Sequence, residues 1–280
     1  MKKVLIAGAG SMGLDIAQVF ATKDFTVEVF DISEDILEKA RNRVNKNLSR
    51  QVEKGKLDED ARSAIIGRLS FTSDIMSAQN ANLVIEAIIE DFSIKKDLFQ
   101  RLDSVCSPET VFASNTSSFS ITALGAVTKR QDKFVGMHFF NPATIMKLVE
   151  VIRGANTSNE TFETTYNLCE TIGKQPIEVK EAPGFVVNKI LVPMINEAVC
   201  LLETGVASAE DIDRAMQLGA NHPIGPLALG DLIGLDVCLA VMDTLLDETG
   251  DPKYRSSVLL RKMVRGGMLG RKTGKGFFEY

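Results

Sequence analysis

The sequence has few of the features that mark membrane, secreted or nucleic-acid-binding proteins. No apolar run in its 280 residues approaches the ~20 residues of a membrane span. Residues 1–7 do not extend into a signal peptide, because Gly8, Gly10 and Asp15 interrupt the apolar stretch. Lys and Arg number 32 against 37 Asp and Glu, and the net charge of −5 argues against nucleic acid as a partner. We therefore expect neither a membrane nor a nucleic acid to be bound.

Cysteine and histidine are also scarce. The four cysteines are widely spaced with no Cys-x-x-Cys pair, which favours reduced thiols in a cytoplasmic protein. The only histidines are His138 and His222, and no cluster of Cys, His and carboxylate residues has the spacing of metal ligands. We expect no metal site.

Strand-like and helix-like segments alternate in the first part of the chain, which predicts a doubly wound parallel sheet. After Gly184 only helical signals remain. At ~150 residues per domain, 280 residues indicate about two domains. The fold class we predict is α/β, with a Rossmann-like domain over 1–183 that includes a long helical excursion, and an all-α domain over 184–280. The predicted strands are 4–7, 26–30, 83–86, 111–114, 134–140, 147–152 and 176–179, and the excursion comprises helical stretches at 33–54 and 57–68.

A glycine-rich turn follows the first strand. Its sequence is Gly8-Ala9-Gly10-Ser11-Met12-Gly13. In Rossmann-like folds such glycines allow a tight turn, close approach of a pyrophosphate and packing of the next helix, whose N-terminus binds the phosphates. Asp31 directly follows the second strand, where a carboxylate binds the ribose hydroxyls and repels a 2′-phosphate. The pattern predicts NAD rather than NADP, although a glycine turn in another α/β fold is the alternative.

The two strands at 134–140 and 147–152 predict an antiparallel hairpin. If its loop centres on residues 143–144, His138 pairs with Glu150, with their Cβ atoms ~4.5–5.5 Å apart. A carboxylate fixes the tautomer of an imidazole and raises its basicity, which suits a general acid or base. The alternative is an ordinary cross-strand ion pair. His222 lies in a proline-rich loop and reads as structural.

Polar and basic residues elsewhere suggest further contacts. Asn115 and Ser117 follow a strand at the edge where α/β sheets bind ligands. They are predicted either to bind a ligand there or only to cap a helix. Asn188 is predicted to lie one turn into the helix that follows Pro183-Gly184. Residues 39–56 carry seven basic residues and one acid, and a set of them shares one helical face. Such a face suits an anionic small ligand such as a nucleotide-carrying thioester, or is a solvated surface. The set is Lys39, Arg43, Lys46, Arg50 and Lys54.

Several strings resemble the 3-hydroxyacyl-CoA dehydrogenase family across the whole chain. They are Ser114-Asn-Thr-Ser-Ser118, Gly136-Met-His-Phe-Phe-Asn-Pro142, Met146-Lys-Leu-Val-Glu-Val-Ile152, Ala182-Pro-Gly-Phe-Val-Val-Asn188 and Gly270-Arg-Lys-Thr-Gly-Lys-Gly-Phe277. The resemblance implies a cytoplasmic NAD-dependent enzyme that interconverts (S)-3-hydroxybutyryl-CoA and acetoacetyl-CoA and forms a homodimer through its C-terminal domain.

The resemblance also implies site residues. His138 matches the catalytic base, Glu150 its carboxylate partner, and Ser117 and Asn188 the residues that bind the substrate oxygen. Lys54 matches a coenzyme A contact, with Arg50 nearby, whereas Asn47 stands where some relatives have a serine. The cofactor residues implied are Gly8, Gly10, Ser11, Met12, Gly13, Asp31, Glu90, Lys95, Asn115, Ser117, Asn141 and Lys272.

Two other functions stay open at the level of sequence. One is a different dehydrogenase on the same scaffold, such as a sugar-acid 3-dehydrogenase of the crystallin-like branch, against which the basic helix face argues. The other is a non-catalytic NAD-binding protein, against which the complete set of Ser117, His138, Glu150 and Asn188 argues.

Overall fold

A computed structural model describes residues 2–280 of the chain. The chain divides into two compact units, the first ending at Glu181 and the second starting at Ala182. Within residues 2–280, no helix is both long and apolar enough to span a bilayer.

The first unit contains one sheet with the strand order β3-β2-β1-β4-β5-β6-β7-β8. β1 to β6 pair in parallel, in the order of doubly wound dinucleotide-binding folds, which confirms the predicted α/β class. β7 is antiparallel to β6, and β8 is parallel to β7. The strands are β1 (Lys3–Ala7), β2 (Thr26–Phe30), β3 (Leu69–Thr72), β4 (Leu83–Glu86), β5 (Val111–Ser114), β6 (Phe134–Phe139), β7 (Leu148–Arg153) and β8 (Gln175–Lys180).

The central strands are buried along their full length, as expected of parallel strands covered on both faces. Every residue of β4, β5 and β6 is buried. β3 has no counterpart among the predicted strands. It is a four-residue edge strand with no fully buried residue, so its sequence lacks the apolar run that marks a buried strand. It forms by pairing with β2.

Six helices accompany the sheet: α1 (Ser11–Thr22), α2 (Glu34–Glu53), α3 (Glu59–Gly67), α4 (Phe92–Val105), α5 (Ile121–Ala126) and α6 (Asn159–Thr171). α2 and α3 form the predicted helical excursion. The Ser33 hydroxyl caps α2 by accepting the N–H of Ile36 at 3.4 Å. The helix buries Leu37, Ala40 and Val44 on one side at the spacing of an amphipathic helix, so its basic side chains point away from that core.

The second unit is all helical, as predicted, with α7 (Val187–Glu203), α8 (Ala209–Ala220), α9 (Pro226–Ile233), α10 (Leu235–Thr249) and α11 (Val258–Arg265). The Ser208 hydroxyl caps α8 by accepting the N–H of Asp211 at 3.1 Å. α7 begins later than expected, because Gly184 and Phe185 have φ angles of 72° and 51°, which no right-handed helix contains. Asn188 is therefore the second residue of α7 rather than one turn inside it.

Asp231 in α9 holds the C-terminal segment of the second unit. Its side chain is 1% exposed, and it accepts the backbone N–H groups of Phe277 and Phe278, each at 3.0 Å. The phenol of Tyr280 donates to the same carboxylate at 3.2 Å. A Cβ on Gly276 would lie 1.9 Å from an oxygen of Asp231, so only glycine permits this approach.

Candidate active site

The glycine-rich turn lies between β1 and α1 and is open where a ligand would approach. A Cβ on Gly8 would lie 2.5 Å from the carbonyl oxygen of Ala87, and one on Gly13 would lie 2.0 Å from the carbonyl oxygen of Gly8. A Cβ on Gly10 would meet nothing within 4 Å. Two glycines thus allow close packing of the turn, whereas Gly10 faces open space, as binding of a pyrophosphate at the N-terminus of α1 requires.

Asp31, at the end of β2, is fixed against this turn. One carboxylate oxygen accepts the N–H of Ala9 at 3.0 Å, and the other accepts the N–H of Ser33 at 3.2 Å. These bonds hold the carboxylate beside the turn, at the position from which an acidic residue binds the ribose of a dinucleotide.

An apolar cleft of about 670 Å³ begins at the turn. Ser11, Met12 and Asp31 line one side of it. Several isoleucines also line it, among them Ile32 and Ile89, which are 80% and 65% exposed, together with the charged residues Asp97 and Arg101. Isolated exposed apolar side chains are ordinary, but a cleft lined by several of them indicates a ligand site.

His138 and Glu150 face each other across the β6–β7 hairpin, in the register predicted from the sequence. The Nδ1 atom of His138 lies 2.7 Å from a carboxylate oxygen of Glu150. His138 is 6% exposed and Glu150 is fully buried. A buried carboxylate at this distance fixes the orientation of the ring, so the pair is suited to proton transfer.

Glu90 organises the loop that follows β5. Its carboxylate accepts the backbone N–H of Ser117 at 3.1 Å and the hydroxyl of Ser118 at 2.8 Å, as well as the hydroxyl of Thr116. Burial alone would raise the pKa of Glu90, but Lys95 and the hydroxyl donors outweigh it, so the pKa lies below its ordinary value. The loop carrying Ser117 is thus fixed by a charged acceptor. Ser120, not Asn115 or Ser117, caps α5, where it accepts the N–H of Ala123 at 3.0 Å.

Lys95 is 1% exposed, which a lysine tolerates only when paired. Its ammonium lies between the carboxylates of Glu86 and Glu90, the latter at 3.1 Å. Glu86 also accepts the hydroxyl of Ser114 at 2.6 Å. In the structure Lys95 holds these two carboxylates, and its direct contact with a cofactor remains a prediction.

Asn115 joins the Ser117 loop to the strand that carries the histidine. Its side-chain oxygen accepts the N–H of Phe139 at 2.9 Å, one residue beyond His138. Because β5 and β6 are parallel neighbours, their carboxyl ends bring Ser117 and His138 to the same edge of the sheet. Asn141 lies just beyond β6 and is exposed.

Arg50 and Lys54 line a separate cavity of about 230 Å³. Lys56 adds a third positive charge, and Asp15 supplies the one carboxylate. The basic face predicted from helical spacing is therefore divided. Its C-terminal part lines this cavity, whereas Arg43, about two turns before Arg50, contacts α1. The other lining residues are Gln18, Asn47, Gln51 and Thr144.

Two predicted site residues belong to the second unit. Asn188 is half-buried near the start of α7. Lys272 forms an ion pair with Asp236 at 2.6 Å, beside Gly234.

Sequence reasoning missed Glu86 and Arg43. Glu86 could have been found, because it is an acidic residue at the end of an apolar strand, as Asp31 is. Arg43 was placed on the basic face, but its contact with the turn depends on how α2 packs on α1, which periodicity does not determine.

The strand order, the glycine turn and the acid after β2 together define a dinucleotide-binding oxidoreductase fold, and the His138–Glu150 pair adds an acid–base group to it. The sequence matches two family descriptions, "3-hydroxyacyl-CoA dehydrogenase, NAD binding domain" over residues 3–182 and "3-hydroxyacyl-CoA dehydrogenase, C-terminal domain" over residues 184–280.

The chain is 51% identical to the 3-hydroxybutyryl-CoA dehydrogenase of Clostridioides difficile, with 99% of each chain covered. It is 48% identical to a probable 3-hydroxybutyryl-CoA dehydrogenase of Bacillus subtilis, covering 100% of this chain and 98% of that one. The crystal structure of (S)-3-hydroxybutyryl-CoA dehydrogenase from Ralstonia eutropha matches with a TM-score of 0.97 and 48% identity, covering 100% of this chain and 99% of that one. The protein belongs to the 3-hydroxyacyl-CoA dehydrogenase family, which makes it an NAD-dependent oxidoreductase.

Proposed function

We propose that the protein catalyses the reversible oxidation of (S)-3-hydroxybutyryl-CoA to acetoacetyl-CoA with NAD. The observation that carries this proposal is the buried contact between His138 and Glu150, at the same sheet edge as the Ser117 loop. Relatives named for this activity match over nearly the full length of both chains, which supports the choice of substrate.

When bound, NAD supplies the acceptor or donor of the hydride. His138 handles the proton: it accepts the hydroxyl proton in the oxidation and returns it to the carbonyl oxygen in the reduction. Because Nδ1 faces Glu150, we assign the exchanged proton to Nε2. Glu150 keeps the ring oriented and stabilises the imidazolium that forms.

Ser117 and Asn188 are proposed to bind the substrate oxygen. Glu90 fixes the backbone of Ser117, so the loop that carries the hydroxyl is held in place before the reaction. A preorganised donor to a developing oxyanion contributes ~3–4 kcal/mol. Asn188 supplies an amide from the start of α7.

The nucleotide end of the acyl-CoA is proposed to bind at the cavity lined by Arg50 and Lys54. Coenzyme A carries several negative phosphate charges, and three basic side chains around one cavity attract them. This cavity favours a nucleotide-bearing substrate over the free hydroxy acid that a sugar-acid dehydrogenase would take.

The remaining cofactor contacts are proposed at the glycine turn and Asp31, with Glu90, Lys95, Asn115, Asn141 and Lys272 completing the set.

The proposed domains are 1–183, of which Met1 lies outside the described residues, and 184–280. The change of compact unit at residues 181–182 supports a division near this point.

A homodimer formed through the second unit is also proposed. In that unit Leu218 and Val206 are 75% and 67% exposed, and a second copy of the chain would bury such apolar side chains. A cytoplasmic location is proposed from the four free cysteines, three of which are buried.

The test is oxidation of NADH by the purified protein with acetoacetyl-CoA, longer 3-ketoacyl-CoAs and free acetoacetate. We expect the highest kcat/KM with acetoacetyl-CoA and little turnover of the free acid. Equal turnover of the free acid would favour the other dehydrogenase on this scaffold. No turnover of any acyl-CoA, with NADH still bound, would favour a non-catalytic NAD-binding protein.

A further inference from the structure

Arg43 lies between the two cavities of the first unit. Its Nη2 atom is 2.7 Å from the hydroxyl of Ser11, which lines the apolar cleft. The same atom is 3.9 Å from a carboxylate oxygen of Asp15, which lines the basic cavity. Ser11 is the first residue of α1, so this contact places a guanidinium at the N-terminus of the helix that follows the glycine turn.

A cation is unfavourable at this end of a helix. The unpaired N–H groups of the first turn give α1 a partial positive charge at its N-terminus, which repels a guanidinium and attracts an anion. The first turn of α1 contains no acidic residue. Among residues 2–280, Asp15 is the one carboxylate in contact with Arg43.

Asp15 compensates Arg43 only in part. Its carboxylate is 3.9 Å away, at the outer limit of an ion pair, and its residue is only 7% exposed. Burial raises the pKa of Asp15 above its ordinary value, and Arg43, a backbone hydrogen bond from Ala143 and Lys174 offset this only partly. The positive end of α1 and the guanidinium therefore favour a further anion at this point.

Arg43 also has donors to spare. Within residues 2–280 its contacts use Nη2 alone, so Nε–H and Nη1 are available, and an arginine can bind phosphate oxygens through two of its nitrogens. Its side chain is 43% exposed, which allows the small rotation that such binding needs.

We propose that Arg43 is a further binding residue for the pyrophosphate of the dinucleotide, and that Asp15 competes with the pyrophosphate for the guanidinium. This inference rests on the proposed binding of NAD at the Gly8–Gly13 turn. Coenzyme A also contains a pyrophosphate, but the contact of Arg43 with Ser11 directs it to the turn rather than to the basic cavity.

The experiment measures dissociation constants by calorimetry on the full chain, without substrate. The ligands are NADH, ADP-ribose, which retains the pyrophosphate, adenosine, which lacks it, and coenzyme A. The variants are Arg43→Gln, Arg43→Lys, Asp15→Asn and the double variant of Arg43→Gln with Asp15→Asn. Arg41→Gln is the matched control, because Arg41 lies on the same helix but donates to the carbonyl of Phe71, away from the turn.

We expect Arg43→Gln to raise the Kd for NADH and ADP-ribose by about twofold to fivefold, the range for a partly exposed charge contact. Arg43→Lys should lie between this variant and the parent, and Arg41→Gln should match the parent. Arg43→Gln should change the Kd for adenosine and the Kd for coenzyme A by less than twofold. Asp15→Asn should lower the Kd for ADP-ribose when Arg43 is present and leave it unchanged when Arg43→Gln is combined with it.

Higher ionic strength should weaken binding of ADP-ribose to the parent more than to Arg43→Gln, because exposed charges are screened over ~8–10 Å. Melting temperatures identify a variant that has lost its fold. If Arg43→Gln has lost its fold, the Kd values of Arg43→Lys are compared with those of the parent instead.

Unchanged binding of ADP-ribose to Arg43→Gln would overturn the inference, as would an equal loss for adenosine or a loss confined to coenzyme A. Failure of the parent itself to bind NADH or ADP-ribose would instead overturn the proposed cofactor site and this inference with it.

Discussion

The carboxylate of Glu90 accepts the backbone N–H of Ser117 at 3.1 Å. This bond connects a charged residue beyond β4 to the hydroxyl proposed to bind the substrate oxygen beyond β5. Lys95, which is buried, holds Glu90 from the other side. The position of Ser117 therefore depends on the ion pair between Glu90 and Lys95.

Glu90→Gln should lower kcat by about tenfold to a hundredfold, since small displacements of a positioning group have effects of this size. Glutamine keeps one acceptor oxygen but loses the charge that strengthens three hydrogen bonds. The measurement is steady-state kinetics with acetoacetyl-CoA. Glu109→Gln is the control, because Glu109 is a surface partner of Lys133. A kcat within twofold of the parent would show that Glu90 does not position the loop.

The same residue predicts a pH dependence of stability. Its pKa in the folded protein lies below the ordinary 4.5, so its contribution is fully present above pH ~4.5 and is lost as the pH falls through the lowered value. The parent should melt higher than Glu90→Gln at pH 7, and the difference should shrink on acidification below pH 4.5. Scanning calorimetry from pH 7 to pH 3 measures it. A difference that stayed constant would contradict the prediction.

His138→Gln should lose most turnover and keep its affinity for NADH. General acid–base catalysis contributes about a hundredfold to ten-thousandfold, and glutamine cannot exchange the proton. Glu150→Gln should also lower kcat, because the imidazolium loses its anionic partner. His222→Gln is the matched control and should behave as the parent. Kinetics with NADH and acetoacetyl-CoA, together with NADH titration, provide the measurement, and near-normal kcat in His138→Gln would refute the assignment.

Asp31→Ser should narrow the preference for NADH over NADPH. The change removes both an acceptor for the ribose hydroxyls and the repulsion of a 2′-phosphate. Asp35→Ser removes an exposed carboxylate in the first turn of α2 and should leave the preference unchanged. The ratio of kcat/KM for the two cofactors is the measured quantity. A parent enzyme that used NADPH as well as NADH would already contradict the role given to Asp31.

Lys54→Glu should raise the KM for acetoacetyl-CoA by about threefold to tenfold, because it replaces attraction by repulsion at an exposed site. The KM for NADH should stay nearly constant. Lys39→Glu is the control, since Lys39 lies on the same helix but not at the basic cavity. A truncated thioester without the nucleotide should be indifferent to Lys54→Glu. Equal losses with truncated and full substrates would mean that Lys54 has only a structural role.

The sequence was sufficient for the hairpin and for the contact between His138 and Glu150, because strand pairing in a short hairpin is fixed once its loop is located. It was also sufficient for α2, where burial of Leu37 and Ala40 follows the apolar spacing. Local signals were strong in both cases, and nothing distant had to be known.

Features that depend on distant parts of the chain were not predictable. β3 forms because it can pair with the edge of β2. α5 is a six-residue helix, which is too short to show the helical periodicity of apolar residues. The Arg43 contact needs α1 and α2 to pack in one particular way. Glu86 and Lys95 become partners only when β4 and α4 fold together.

Asp231 is buried, and its hydrogen bonds are supplied by Phe277, Phe278 and Tyr280 near the C-terminus. Those residues donate the hydrogen bonds that water would give to an exposed carboxylate, so they solvate the buried side chain of Asp231. If they were removed, the buried carboxylate would lose three hydrogen-bond donors, at a cost of several kcal/mol. The second unit should therefore tolerate substitutions on its exposed helix faces far better than the loss of a few terminal residues.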